Sequence, residues 1–197
     1  MPKQAMARAI QQRTLKTRAK LLDAANAVIT ENGYEALRVE EVVLRAGVAK
    51  GTFFAHFKDK DALMDQLIGA EIDRHLDMIE AQGVPETIDG MAAALMPLVK
   101  FMSCERYVFD VILRHSGAAA NAGIGPIATT FGRQAEVTAT WLADMPFRRD
   151  ISPDLQAEGV QAFVVQAISL VFCALHNSVD PQERLAIYLR AWLTPNA

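Results

Sequence analysis

Apolar residues recur at helical spacing along almost the whole chain, and no stretch joins strict alternation to a hairpin turn signal. That pattern confines the chain to an all-α fold. A first helix is predicted over residues 12–32, with Leu15, Ala19, Leu22, Ala25, Val28 and Ile29 on one face and Asn32-Gly33 as its stop. A short helix over 39–46 turns Val39, Val42 and Val43 inward, Gly47 breaks it, and a third short helix runs over 50–57. Asp59 caps a long helix over 60–81 whose stripe is Leu63, Leu67, Ile68, Ile72, Leu76 and Ile79.

Gly83-Val84-Pro85 ends that helix. The next, over 86–102, carries Met91, Leu95, Leu98 and Met102 and is kinked at Pro97, and another over 105–115 carries Val108, Phe109, Ile112 and Leu113. HSGAAANAGIGP (115–126) reads as a loop and the most mobile segment, a helix follows to Ala143, and MPFRRDIS is a second connection. Ser152-Pro153 and Asp180-Pro181 repeat one start signal, a capping oxygen followed by proline at the first helical position. The helices they open should reach about residues 176 and 193. The first of these two is apolar on more than one face, and the second ends near the chain terminus, where little of the same chain is available to cover it. We therefore expect a second copy to cover Phe163, Ala167, Leu170, Ala174, Leu185, Tyr188, Leu189 and Trp192.

Charge is distributed unevenly. Residues 1–60 carry net +5 and residues 61–197 net −8, and six cations (Lys3, Arg8, Arg13, Lys16, Arg18, Lys20) fall in the first twenty residues without one carboxylate. One end of the chain is suited to a polyanion. Cys104 and Cys173 have no metal-ligand or disulfide-framework spacing, no segment reaches membrane-spanning length, and no signal-peptide core is present, so a cytoplasmic protein without a membrane anchor is expected. There is no GxSxG, no HExxH and no glycine-rich phosphate loop, so neither an enzyme nor a cofactor is expected.

The two short helices around RAGV match a helix-turn-helix, with Ala46 permitting close approach, Gly47 the left-handed turn and Val48 filling the corner. On the third helix Phe53 and Phe57 share the inner face, which leaves Phe54 outward beside Lys50 and Lys58.

The run GYEALRVEEVVLRAGVAKGTFFAHFKDKDAL (33–63) resembles the N-terminal domain of the tetracycline-repressor (TetR) family of bacterial transcription regulators. The likeness covers about residues 12–68. It rests on AGV, KGT, an aromatic pair, HF and K-x-K-x-x-L. It implies a DNA-binding helix-turn-helix domain over 1–60 and a helical effector-binding and dimerisation domain over 61–197. It also implies a homodimeric repressor on a palindromic double-stranded operator, released by a small apolar or amphipathic effector. The resemblance places Arg38, Lys50, Gly51, Thr52, Phe54, Ala55, His56 and Lys60 at the DNA, with Lys60 on a phosphate. Three hydroxyl positions of the family pattern are occupied here by Arg38, Ala49 and Phe54. DNA binding should therefore lean on cations and depend steeply on salt. The alternative is a helical ligand- or partner-binding dimer with a weakened DNA-reading surface.

In the second domain, a bundle pocket needs a soft apolar lining and a few polar groups. The candidates are His75, Met102, Phe109, Phe131, Gln134, Thr138, Trp141 and Gln166, with His176 a further polar candidate. Asp73, Asp77 and Glu80 lie at helical spacing and read as a solvated acidic face, so no metal is expected.

Overall fold

The structure is a computed structural model that describes residues 2–116, 123–145, 147–173, 175 and 178–194. The described residues form helices and connections, with no strand among them. The helices are α1 (Pro2–Asn32), α2 (Val39–Ala46), α3 (Lys50–His56), α4 (Lys60–Ala81), α5 (Ile88–Met102), α6 (Arg106–His115), α7 (Pro126–Asp144), α8 (Pro153–Val171) and α9 (Pro181–Leu193). Two compact units divide inside α4, Met1–Leu67 and Ile68–Ala197.

In the first unit α1 begins at Pro2, ten residues before the expected start, because KQAMARAIQQRT is rich in good helix formers behind a proline suited to the first turn. Its buried face is Leu21, Ala24, Ala25 and Val28; Leu15 is 59% exposed and Ala19 is also exposed, against the expectation. Gly47 closes α2 at φ 65°. That left-handed geometry lets its N–H and that of Val48 return to the last carbonyls of α2, and glycine takes it without strain. Neither Arg38 nor Ala49 makes a side-chain cap, so α2 and α3 start with their first N–H groups uncapped by side chains. Asp59 Oδ1 accepts from the Ala62 N–H at 2.8 Å and caps α4.

In the second unit, Ile68, Ile72, Leu76 and Ile79 of α4 are buried, as are Met91, Leu95, Leu98 and Met102 of α5. Gly69 allows α4 to approach α7 closely: a Cβ there would lie 2.6 Å from Pro126 Cβ. Arg133 of α7 bonds Asp73, Asp77 and Glu80 of α4, so the acidic face holds one guanidinium. Leu113 is 43% exposed rather than inward, one position beyond the buried face of α6. Helix α8 stops at Val171, short of the expected 176, and Phe172 stacks on Phe109 with ring centroids 5.9 Å apart.

Three of the eight residues expected to meet a second copy are covered by their own chain. Leu185 and Leu189 are fully buried within the one chain, as is Ala167 at 1% exposure, so these three have no free surface for a partner. Trp192 donates its indole N–H to the Gln156 carbonyl at 3.1 Å and meets Phe163 edge-on at 6.2 Å. Phe163 in turn stacks on Tyr188 at 5.2 Å. Phe163, Leu170, Tyr188 and Trp192 stay half-exposed, whereas Ala174 lies outside the described residues. Residues 117–122 of the 115–126 loop and His176 also lie outside them.

Candidate nucleic-acid interface

Two turns of helix are enough for α3 because its inner face is anchored by aromatics. Phe53 is fully buried and Phe57 is 3% exposed, their rings 5.5 Å apart. The opposite face carries Lys50, Gly51, Phe54 and Ala55, all exposed, at the spacing of one helix side. Phe54 is 49% exposed and meets Phe53 edge-on at 5.3 Å. Thr52 and His56 are half-buried at its margins.

Arg38 and Lys60, separated by α2 and α3, converge on one oxygen. The Glu35 carbonyl accepts from Arg38 Nη1 at 2.7 Å and from Lys60 Nζ at 3.4 Å. Two cations side by side at the start of α4 form a local positive site, to which the helix end adds its own partial charge. Lys50 is not alone either. Its Nζ donates to Glu40 Oε1 at 2.5 Å, joining the first turn of α2 to the first residue of α3. The neighbouring ammonium holds the Glu40 carboxyl below the usual carboxylate range.

Arg18 stood among the cations expected to face a polyanion, but its guanidinium is engaged inside the unit. It donates to the His56 carbonyl and to Gln66 Oε1, both at 2.9 Å, and covers the Phe57 ring. Arg8, Arg13, Lys16 and Lys20 stay exposed along α1. Sequence does not single out Glu40, and it does not separate Arg18 from the other cations of α1. Periodicity cannot separate Arg18 from its basic neighbours, and a glutamate in a first helical turn reads as an ordinary dipole partner.

Residues 21–67 match the model of the bacterial regulatory proteins of the TetR family. The helix-turn-helix region is thus a TetR-family domain. A TetR-family pattern is what the turn at Gly47 and the aromatic anchor of α3 express in three dimensions. The uncharacterised helix-turn-helix regulator YvdT of Bacillus subtilis is 29% identical over 51% of this chain and 52% of its own length. The chain thus spans about half of that relative. An uncharacterised helix-turn-helix regulator of Haemophilus influenzae is 26% identical over 89% of this chain and 84% of its own. Among solved structures, the TetR-family repressor FadR of Thermus thermophilus, in complex with lauroyl-CoA, superposes with a TM-score of 0.65 at 17% identity. The match covers 89% of this chain and 92% of that one. These relatives are named as transcription regulators, and no described helix is long and apolar enough to cross a membrane.

The effector candidates of the second unit are dispersed. Met102, Phe109 and Trp141 are buried core, Phe131 is half-buried, and Gln134 and Thr138 are each 2% exposed on one face of α7. Thr138 donates to the Gln134 carbonyl at 2.8 Å. Gln166 is exposed, which removes it from any enclosed lining; the buried glutamine of α8 is Gln156. His75 is 9% exposed and stacks on Phe101, its ring nitrogen Nδ1 unpartnered, as is Gln134 Nε2. Two open clefts, about 310 Å³ between α7 and α8 and about 370 Å³ beside α5 and α9, are lined by none of these candidates.

Proposed function

We propose that the chain is a ligand-responsive transcription regulator that acts as a homodimeric repressor on a palindromic DNA operator and is released by a small apolar or amphipathic effector. The observation that carries this reading is the exposed face of α3, with Lys50, Gly51, Phe54 and Ala55, flanked by the Arg38–Lys60 pair. A recognition helix in the major groove needs such a face, and phosphates on either side need such cations. The exposed cations of α1 add to the same field.

The effector class is supported by the soft core of the second unit and by two buried polar atoms without partners, His75 Nδ1 and Gln134 Nε2. The lauroyl-CoA of the Thermus thermophilus relative is itself amphipathic. Dimerisation is supported by the half-exposed aromatics Phe163, Tyr188 and Trp192 on α8 and α9. An effector shifts DNA affinity only by its differential affinity for the two conformations. The missing caps at Arg38 and Ala49 favour a second reading, a ligand- or partner-binding dimer with a weakened DNA-reading surface.

Selection from randomised duplexes, followed by titration across salt, separates the two. Enrichment of a palindrome, with log K falling by about 0.9 per phosphate neutralised for each decade of salt, supports the regulator. Binding that is indifferent to sequence supports the second reading.

A further inference from the structure

We infer that Glu40 and Lys50 form one base-reading unit, a carboxylate acceptor beside an ammonium donor, that selects a G·C base pair in each half-site. The inference rests on the DNA-reading function proposed above. The pair bridges α2 and α3 at 2.5 Å, and its side chains are 56% exposed at Lys50 and 67% at Glu40. An ion pair so open to water contributes little to stability, so folding does not account for it. Lys50 lies on the same exposed face as Phe54, which places Glu40 at the edge of that face.

A carboxylate at a surface that meets phosphates is repelled unless it finds a donor. In the major groove the available base donors are the amino groups of cytosine and adenine. An ammonium carries three N–H donors and a carboxylate about four acceptor sites, so mutual pairing leaves each with capacity for a base. A G·C pair presents N7, O6 and then the cytosine N4 amino group, two adjacent acceptors followed by a donor. That order matches an ammonium beside a carboxylate. In an A·T pair the donor lies between two acceptors and the thymine methyl flanks them, so the ammonium meets one acceptor at a time. Glu40 also restrains Lys50, a flexible side chain that would otherwise settle on any nearby phosphate.

The experiment compares the full-length chain with E40Q, E40A and K50M by randomised-duplex selection, then by affinity for the selected duplex and its single-base-pair variants. All four proteins should share one thermal midpoint, since both side chains are exposed. The expected result is a G·C preference of about fivefold to a hundredfold at one base pair per half-site. E40Q and K50M should both relax or shift that preference at the same base pair and leave the other positions unchanged. Three results overturn the inference while leaving DNA reading intact: an unchanged preference in E40Q, loss at different base pairs in the two variants, or an A·T preference at the shared pair. Uniform tightening of E40A on every duplex also overturns it, because Glu40 then only restrains Lys50. If the unaltered chain enriches no sequence, the DNA-reading function itself fails and this inference falls with it.

Discussion

The guanidinium of Arg18 lies over the Phe57 ring, 4.3 Å from its centroid, and ties α1 to the end of α3. The same group donates to the His56 carbonyl and to Gln66 of α4, so three helices of the first unit meet at one side chain. The cation–π contact contributes about 0.5–2 kcal/mol and each hydrogen bond about 0.5–1.5 kcal/mol net. Arg18→Ala should therefore lower the stability of the first unit by about 1–3 kcal/mol. Arg18→Lys should recover only part of that, since an ammonium cannot serve both acceptors in a fixed fork and also cover the ring. Urea unfolding of the full chain checks this; equal midpoints for both variants and the unaltered protein would show that the contacts are incidental.

How far the sequence anticipated these features depends on the range of the signal. The bounds of α2 and the left-handed Gly47 were legible because Ala46-Gly47-Val48 is a local instruction, and the starts of α8 and α9 because Ser152-Pro153 and Asp180-Pro181 are too. Long-range pairings were not. Arg18 sits in a basic run and its partners lie 38 and 48 residues away, and Arg133 meets the acidic face of α4 from more than 50 positions downstream. The stripe of Leu185 and Leu189 has the same period whether its cover is α8 of the same chain or a second copy; only burial in three dimensions separates the two. Gln166 and Gln156 pose the same problem, because on a helix apolar nearly all round the sequence does not mark which polar position faces inward.

Two helical glycines should respond in opposite directions to the same substitution. A Cβ on Gly69 would lie 2.9 Å from the Pro126 carbonyl carbon and 3.0 Å from the Ile127 nitrogen, both backbone atoms that cannot turn aside. Gly69→Ala should push α4 from α7 and cost about 1–3 kcal/mol, more than the roughly 1 kcal/mol gained from helix propensity. Gly132, on α7 and exposed, has nothing within 4 Å of the same position. Gly132→Ala should stabilise by about 0.5–1 kcal/mol. Thermal unfolding of the two variants side by side tests the packing of α4 on α7; a stabilised Gly69→Ala would refute that packing.

His75 should make the second unit sensitive to acid. Burial lowers its pKa below the ordinary 6.5, the Arg74 guanidinium lowers it further, and the Glu71 carboxylate opposes both. Between the folded and unfolded values the unfolded chain binds the extra proton. Stability due to neutral His75 is thus fully present above about pH 6.5 and is lost as pH falls through the lower folded value. His75→Phe keeps an aromatic against Phe101, 5.4 Å away in the native stack, and removes the titration. Urea unfolding at intervals from pH 7.5 to pH 5 should show a smaller loss in the variant than in the unaltered chain. Parallel losses would assign the acid sensitivity to other groups.

Phe54 is the aromatic of α3 that its own unit does not cover, 49% exposed, with its ring edge-on to Phe53. A phenyl ring at a DNA surface packs on sugar or on a thymine methyl but donates nothing to a phosphate. Phe54→Tyr adds one O–H at the outer end of an exposed ring, so the fold should be indifferent to it. On the selected duplex at fixed salt, affinity should rise by about threefold to tenfold, the net value of one hydrogen bond at a water-exposed surface. Fluorescence anisotropy reads the affinity and thermal unfolding reads the fold. An unchanged affinity with an unchanged midpoint would place residue 54 away from the phosphates. The exposed face of α3 would then have to be turned about its axis, with Lys50 and Ala55 nearer the bases than Phe54.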